Sequence, residues 1–223
     1  MSGELARLRA RVARLTADAP VVAVRARLSV VGEGRQRTAV GQVNAEIGGR
    51  RVRVQVAAQQ LRAAADRLAS RLGERVPQAL GGWSPRAWTG TQTPTGPVAP
   101  AITRVKTPEL VWCDPDAAVM TMDAMDYDVH LFTDPETEAD AVVYRGPFGY
   151  RLTRILPAGR PVRTRIPLTE DAQPAPRLTD AQALARLRES GLAHLFYADP
   201  AEGYGRVLYR RYAGGFGLIA GAS

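Results

Sequence analysis

Hydrophobic and polar positions follow two different periods within residues 1–80. Apolar residues recur at helical spacing from Leu5 to Leu15, and again from Leu61 to Leu72. Between them, from Val22 to Val56, apolar and polar residues alternate in three stretches, and Gly48-Gly49 favours a tight hairpin turn between the last two. The pattern predicts an α-β-β-β-α two-layer domain, with two helices on the apolar face of a three-stranded antiparallel sheet.

The second half of the chain contains one pattern twice, in residues 114–145 and 178–211. In each copy a helical stretch precedes two alternating stretches that an Asp-Pro pair separates. A short, basic, alternating segment lies before each copy, at 102–106 and at 162–166. The matched residues are Asp116-Ala117 with Asp180-Ala181, His130-Leu131-Phe132 with His194-Leu195-Phe196, Asp134-Pro135 with Asp199-Pro200 after one inserted residue, and Tyr144-Arg145 with Tyr209-Arg210. We therefore predict two small β-α-β-β modules.

These patterns predict an α+β protein with four segments: a basic domain at 1–80, a linker at 81–101, module copy 1 at 102–155, and copy 2 with its connecting segment at 156–223. A module of this size buries too little surface to be stable by itself, so we expect the two copies to pack as a pseudo-dimer. Alternatively, the copies do not contact each other and each binds an external partner. The residues expected to form the pairing interface are Phe132, Val143, Tyr144, Phe196, Leu208, Tyr209, Phe216 and Leu218.

Positive charge is confined to the first half of the chain. The net charge is +8 over 223 residues. Residues 1–100 contain sixteen arginines against six acidic residues, a net of +10, and the remainder has a net of −2. This segregation favours a polyanion-binding domain, and paired arginines on neighbouring strands suit phosphate and exposed bases of RNA. The candidate RNA-binding residues are Arg25, Arg27, Arg35, Arg37, Arg50, Arg51, Arg53, Arg67, Arg71 and Arg75.

Catalytic and metal-binding constellations are not predicted. The two histidines fall at matched positions of the repeat, which favours packing, and Cys113 has no neighbouring partner in the sequence. Neither a phosphate-binding loop nor a zinc motif occurs. The acidic cluster formed by Asp123, Asp126, Asp128 and Asp134 lacks the glycine and terminal glutamate of a calcium loop, and we interpret it as solvated. We expect no enzymatic activity, no cofactor and no metal.

The single cysteine and the lack of an apolar N-terminal run indicate a cytoplasmic protein without a membrane-spanning segment.

Several motifs in the repeats resemble one known family. In copy 1 they are Val105-Lys106-Thr107, Pro115-Asp116-Ala117-Ala118, Val129 to Asp134 and Val142-Val143-Tyr144-Arg145; in copy 2 they are Val207-Leu208-Tyr209-Arg210-Arg211 and Gly215-Phe216-Gly217-Leu218-Ile219. They resemble the C-terminal domain of long-form ribosome hibernation-promoting factors, the sigma-54-modulation or S30AE family. A duplicated module is typical of its actinobacterial dormancy-associated members. Residues 1–80 are similar to the family's N-terminal domain from its first helix onward, without the strand that precedes that helix.

The resemblance implies a factor that binds the decoding region of the small subunit in the 30S subunit or 70S ribosome, contacts 16S rRNA in the mRNA and tRNA sites, and inhibits translation in stress or dormancy. If the two copies pair with each other, we expect the factor to act on 70S monosomes rather than to join ribosomes into 100S dimers. The alternative is a regulator that binds double-stranded RNA or DNA, because helix, three strands and helix is also the order of a double-stranded-RNA-binding domain. In that case the repeats would serve as an oligomerisation platform.

Overall fold

A computed structural model describes residues 2–32, 37–86, 101–212 and 214–221. Its contacts divide these residues into two compact units. The first contains the residues up to Arg86 together with Asp123–Tyr127, and the second contains the others. No helix in the described part of the chain is long and apolar enough to cross a membrane.

The first unit has the predicted order of helix, three strands and helix. Its elements are α1 (Ser2–Leu15), β1 (Val21–Val31), β2 (Thr38–Ile47), β3 (Arg50–Ala58) and α2 (Leu61–Gly81). The strands form an antiparallel sheet in the order β1-β2-β3. Gly48 and Gly49 have φ angles of 57° and 74°, which a tight hairpin turn between β2 and β3 requires and which residues with a side chain rarely adopt.

The core of the first unit lies between one sheet face and the two helices. Buried and half-buried side chains alternate along the whole of β2, so alternate residues of the sheet face the helices. Leu8 of α1 and Leu68 of α2 pack with Val43 and Val54 of the sheet, and each of the four is almost fully buried. Burial of these apolar side chains stabilises the unit and leaves the opposite face of the sheet polar.

The second unit contains two four-stranded sheets and two helices, except for the last two residues of the first of these helices, Asp123 and Ala124, which belong to the first unit. Its elements are β4 (Ile102–Lys106), α3 (Pro115–Ala124), β5 (Val129–Asp134), β6 (Ala139–Gly146), β7 (Gly149–Arg154), β8 (Leu168–Glu170), α4 (Asp180–Ser190), β9 (His194–Ala198), β10 (Gly205–Arg210) and β11 (Phe216–Ala220). The predicted β-α-β-β order is wrong by one strand, because β7 and β11 follow the hairpin in each copy. The sequence of β7 alternates as a strand does but was not counted as one, whereas the short, glycine-containing β11 shows no alternation.

The first strand of each copy lies in the sheet of the other copy. The sheets have the orders β5-β6-β7-β8 and β4-β11-β10-β9. Thus β4, which precedes copy 1, pairs in parallel with β11 of copy 2, and β8, which precedes copy 2, pairs in parallel with β7 of copy 1. Each sheet therefore contains residues from both halves of the repeat.

The strand predicted at 162–166 lies instead at Leu168–Glu170. The backbone N–H groups of Arg165 and Ile166 donate to the carboxylate of Asp116, at 2.8 Å and 3.2 Å, instead of to a neighbouring strand. Pro161 and Pro167 flank this stretch, and proline has no N–H to donate. Alternation alone therefore predicted the strand too early in the chain.

Two of the hydrophobic clusters in the described part of the second unit show how copy 2 packs and how the sheets meet. One packs α4 against β9, β10 and β11. The other is shared by both sheets, and we call it the inter-sheet cluster: Leu131 and Val142 come from β5 and β6, whereas Phe196 and Val207 come from β9 and β10. Strand β10 accordingly contacts both β5 and β6.

Candidate nucleic-acid interface

The polar face of the first sheet carries the candidate arginines of the strands. Across the three strands, Arg25 lies beside Asn44 and Asn44 beside Arg53, while Arg27 lies beside Gln42. The side chains on this face are exposed or half-buried, whereas the alternate residues of β2 and of most of β3 are buried in the core. The sequence therefore predicts the face correctly, because the direction of a strand side chain follows from its period of two.

Five of the candidate arginines are exposed and make no ion pair or side-chain hydrogen bond with any described residue. They are Arg25, Arg27, Arg37, Arg50 and Arg51. We call these five the open arginines. Among the described residues nothing occupies their guanidinium donors, and each can hold an oxyanion with two parallel hydrogen bonds. Arg35 lies outside the described residues.

Arg53 is more constrained than the open arginines. Its guanidinium carbon lies 5.2 Å from the centre of the Tyr127 ring, within the range of a cation–π interaction. It also donates to the carbonyl oxygen of Met125 at 3.3 Å and to the side chain of Gln55. The side chain is therefore held in one orientation by its neighbours in the first unit.

The three candidate arginines of α2 contact the protein itself. Arg67 donates to the carbonyl oxygen of Ala57 at 3.1 Å. Arg71 donates to the carbonyl oxygen of Gln55 at 3.0 Å and pairs with Asp126. Arg75 is 7% exposed and lies 3.7 Å from the same carboxylate, and burial lowers the pKa of its guanidinium. Arg71, whose side chain is 30% exposed, and the buried Arg75 thus compensate a buried acid.

The acidic cluster that we interpreted as solvated is largely buried. Asp123 and Asp134 are 1% and 0% exposed, and the side chain of Asp126 is 3% exposed, whereas Asp128 is exposed. Arginines compensate the buried carboxylates: Arg86 pairs with Asp126, and Arg154 pairs with Asp134 at 2.7 Å. The interpretation failed because these arginines lie twenty or more residues away in the sequence.

Arg86 and Trp83 were not among the predicted site residues. Arg86 donates to the carbonyl oxygen of Tyr127 at 3.0 Å, and Trp83 donates from Nε1 to the carboxylate of Asp123 at 3.2 Å. Both lie in the segment that was predicted as linker. The sequence signal for this order is an arginine and two tryptophans within the Gly- and Pro-rich segment. Tryptophan has a large apolar ring and an N–H donor, and both are usually satisfied by packing against the protein.

The two histidines do not occupy equivalent positions, which corrects the alignment of the repeats. Counted from the hairpin turn, Thr133 opposite Asp140 in copy 1 takes the place of Ala198 opposite Gly205 in copy 2. Four residues before these positions on the first hairpin strand lie Val129 in copy 1 and His194 in copy 2, so these two residues correspond. The inserted residue therefore shifts the first hairpin strand by one position, and such a shift reverses the face of every side chain. His130 accordingly lies on the same side as Phe132, its stacking neighbour.

The one-residue shift of the first hairpin strand also determines on which face of the sheets the residues of the expected pairing interface lie. Phe196 and Tyr144 belong to the inter-sheet cluster, and Tyr144 meets His194 edge to face at 5.5 Å between ring centres. Phe132 and Val143 alternate with members of that cluster and face away from it. Leu208, Phe216 and Leu218 pack in the cluster with α4, and Tyr209 lies 5.5 Å from the ammonium group of Lys106.

Two histidines and the cysteine of the second unit are in their neutral forms near pH 7. Burial lowers the pKa of His130 and of His194 to about 4. Burial, followed by the charges of Asp114 and Asp134, raises the pKa of the Cys113 thiol to about 11. Within the described residues no group of three or more His, Cys, Asp or Glu side chains is placed to hold a metal ion.

Comparison with known proteins agrees with the motifs in the repeats. Residues 98–152 match the family described as "Sigma 54 modulation/S30EA ribosomal protein C terminus". This range covers β4 and copy 1 up to β7.

Two similar proteins come from two strains of Mycobacterium tuberculosis, and each is described as a "Dormancy associated translation inhibitor". Each is 41% identical over 228 residues, which span 96% of this chain and 82% of the relative. A crystal structure of the Thermus thermophilus Protein Y N-terminal domain is 25% identical, covers 32% of this chain and 76% of its own, and has a TM-score of 0.27. By the family match and the 41% identity to the M. tuberculosis relatives, the chain belongs to the S30AE family of long-form ribosome hibernation-promoting factors, and within it to the dormancy-associated type with a duplicated C-terminal module.

Proposed function

We propose that this protein is a ribosome hibernation factor that inhibits translation by placing the polar sheet face of its first unit in the decoding region of the small subunit. The observation that carries the proposal is the set of open arginines on that face and at its hairpin ends, within a half of the chain whose net charge is +10. The description of the M. tuberculosis relatives as translation inhibitors supports the same reading.

The chemistry of the open arginines suits a structured RNA. Arg25 and Arg27 project from β1 and Arg51 from β3, on either side of β2 in the sheet, so that their guanidinium groups can meet phosphates of 16S rRNA or stack on exposed bases. Phosphate contacts fix position and orientation without reading a base sequence. A domain held in this way excludes mRNA and tRNA by occupying their sites.

Charge reversal on the sheet face tests this proposal. We expect the Arg25→Glu/Arg27→Glu double variant to bind ribosomes at least about tenfold more weakly, because two phosphate contacts are replaced by repulsion. The Arg9→Glu/Arg62→Glu variant makes the same change of charge on exposed residues of α1 and α2 and is expected to bind like the wild type. Co-sedimentation with 30S subunits and 70S ribosomes at one fixed salt concentration measures both. Equal losses in the two variants would contradict a specific role for the sheet face.

The order of helix, three strands and helix in the first unit favours one second candidate, a regulator that binds duplex RNA or DNA. The two functions differ in ligand. A ribosome factor binds 70S ribosomes in preference to a free 20-base-pair RNA duplex at the same salt concentration (an oligonucleotide of about this length spans one such domain). Binding to the free duplex that equals or exceeds binding to ribosomes would favour the regulator. A salt titration cannot separate them, since both depend on phosphate contacts.

For the second unit we propose that copy 1 and copy 2 form a pseudo-dimer within one chain. The reciprocal positions of β4 and β8, each in the other copy's sheet, support this proposal. So does the inter-sheet cluster, to which β5 and β6 contribute Leu131 and Val142 while β9 and β10 contribute Phe196 and Val207. A module that already has a partner in its own chain has no free pairing surface for a second ribosome-bound factor.

The expected outcome is silencing of single ribosomes. Purified 70S ribosomes incubated with the protein should sediment as 70S particles that carry the factor and no longer translate a reporter mRNA. Sucrose gradients followed by immunodetection across the fractions measure this. A dominant 100S peak that depends on the protein would contradict the proposal for the second unit while leaving that for the first unit intact.

A further inference from the structure

Asp140 and Gly205 occupy the same position in the two copies. Each lies six residues after the aspartate of an Asp-Pro pair, Asp134 or Asp199, and four residues before the tyrosine of a Tyr-Arg pair. Asp140, the second residue of β6, pairs with Thr133, and Gly205, the first residue of β10, pairs with Ala198. At this position copy 1 therefore has a charged side chain, whereas copy 2 has none.

These two equivalent residues touch each other between the sheets. The N–H of Gly205 donates to Oδ2 of Asp140 at 2.7 Å, and the hydroxyl of Thr133 lies 3.4 Å from the other carboxylate oxygen. Asp140 is 6% exposed, and Gly205 is also buried. A buried carboxylate is therefore stabilised by a donor from the other copy, and a buried N–H finds its acceptor there.

The contact has room for only one side chain. A Cβ atom built on Gly205 would lie 2.7 Å from Cβ of Asp140 and 2.8 Å from Cε2 of Phe196. Carbon atoms that are not bonded to each other require about 3.5–4.0 Å. With Asp140 and Phe196 in place, position 205 has room only for glycine.

We propose that the Asp140–Gly205 pair makes copy 1 select copy 2 and reject a second copy 1. This inference rests on the proposed pairing of the two copies. In a pair of copies 1 with the same geometry, two Asp140 residues would face each other: their Cβ atoms would clash, and two buried carboxylates would repel or force one to bind a proton. In a pair of copies 2, two Gly205 residues would meet without the carboxylate that accepts the N–H. Only a pair of copy 1 with copy 2 gives the carboxylate its donor and the N–H its acceptor without a clash. Copy 1 therefore selects copy 2 because pairs of identical copies are less stable.

The Gly205→Asp variant creates within one chain the contact that two copies 1 would make. In the full-length protein we expect it to lower the unfolding midpoint temperature of the second unit by about 10 °C, because several unfavourable contacts are introduced at a buried point. The Asp140→Gly/Gly205→Asp double variant restores one aspartate and one glycine with the roles exchanged, and we expect it to recover at least half of that loss. Thermal unfolding by circular dichroism of the wild type, both single variants and the double variant measures the recovery.

A Cβ at position 205 would clash with both Asp140 and Phe196. The Gly205→Ala variant, compared with and without Asp140→Gly, shows how much of its effect on stability comes from Asp140. We expect replacement of Asp140 to relieve part of the alanine's effect. If Asp140→Gly restores no thermal stability to the Gly205→Asp variant or to the Gly205→Ala variant, the glycine is needed only to make room for the Phe196 ring and the inference is overturned. If Gly205→Asp unfolds at the wild-type temperature, the copies do not meet here, and the pairing proposed for the second unit fails with it. Ribosome co-sedimentation of the same variants reports on the first unit separately.

Discussion

At the scale of single residues, the second unit depends on buried charges whose partners are distant in the sequence. Arg154 and Asp134 form an ion pair at 2.7 Å, with side chains that are 3% and 0% exposed, and Arg154 also pairs with Glu170. Two ions are desolvated here, so the pair is a modest net contribution to stability, but the loss of one partner leaves an uncompensated charge in the interior.

We therefore expect Arg154→Met to lower the free energy of unfolding of the second unit by about 3–5 kcal/mol. Arg160→Met is the matched control, because Arg160 is 82% exposed and its pair with Glu136 is 3.5 Å long; it should change stability by less than about 0.5 kcal/mol. Urea unfolding of the full-length variants measures both values. A loss below about 1 kcal/mol for Arg154→Met would show that the Asp134 carboxylate is satisfied without it.

The two buried histidines predict how stability depends on pH. Burial depresses the pKa of His130 and His194 to about 4 in the folded protein, whereas an unfolded histidine has a pKa of about 6.5. Between these values the unfolded chain binds more protons than the folded chain, so stability is complete above about pH 6.5 and falls as the pH decreases towards 4.

Each histidine contributes a slope of up to about 1.4 kcal/mol per pH unit in that window. We expect His130→Gln/His194→Gln to be less steeply destabilised than the wild type between pH 6.5 and pH 4.5. Urea midpoints at four pH values measure the two slopes, and the carboxylates common to both proteins cancel in the comparison. Parallel slopes would contradict the assignment of this pH dependence to the histidines.

At the scale of elements, helix α4 shows how local sequence determines a boundary. Thr179 and Gln182 form a reciprocal capping box: the Thr179 hydroxyl accepts from the Gln182 N–H at 3.3 Å, and the Gln182 side chain accepts from the Thr179 N–H at 2.9 Å. Gly191 ends the helix in the left-handed conformation with φ 66°. Both signals are typical of helix ends.

Thr179→Ala should lower the free energy of unfolding by about 1 kcal/mol, because the N–H of Gln182 loses its acceptor. Thr121→Ala is the control, since Thr121 is exposed within α3 and alanine favours a helix interior; no loss is expected there. Chemical unfolding of the full-length proteins measures the difference. Equal stability of the two variants would mean that packing alone positions the start of α4.

At the scale of the whole molecule, the exchange of β4 and β8 links the two copies of the second unit. Each sheet would lose an edge strand if the halves of the repeat separated, and the inter-sheet cluster would be exposed to water. Burial of apolar side chains from both copies in one cluster makes their unfolding cooperative.

A cut in the connection between the copies therefore should not separate them. A protease recognition site inserted between Ala158 and Gly159 places the cut after β7 and before β8. We expect the two fragments to elute together on size exclusion under native conditions and to separate only in denaturant. Fragments that elute apart without denaturant would show that the covalent connection, and not the exchanged strands, holds the copies together.

The accuracy of the sequence-based predictions followed the range of the interactions behind them. The α-β-β-β-α order of the first unit and the hairpin at Gly48-Gly49 depend on neighbours within a few residues, and both are correct. Among the open arginines, Arg25, Arg27 and Arg51 were predicted from strand periodicity, and Arg37 and Arg50 from their position at the hairpin tips. Arg71 and Arg75 were predicted to bind RNA from one edge of a helix, but both compensate Asp126, which lies more than fifty residues further along the chain. Periodicity predicts which way a side chain points, but it carries no information about a distant charge.

The sequence by itself determined the order of elements in the first unit, the basic character of that half, the presence of a duplicated module and, through its motifs, the family. Only the tertiary structure decided which sheet β4 and β8 join, which face of β5 meets the other copy, and that Asp140 meets Gly205. The reason is physical. Helix and strand periods are properties of a single segment, whereas a strand of three or five residues can pair with any free edge. Its partner is chosen by the burial and close contacts of the whole assembled unit.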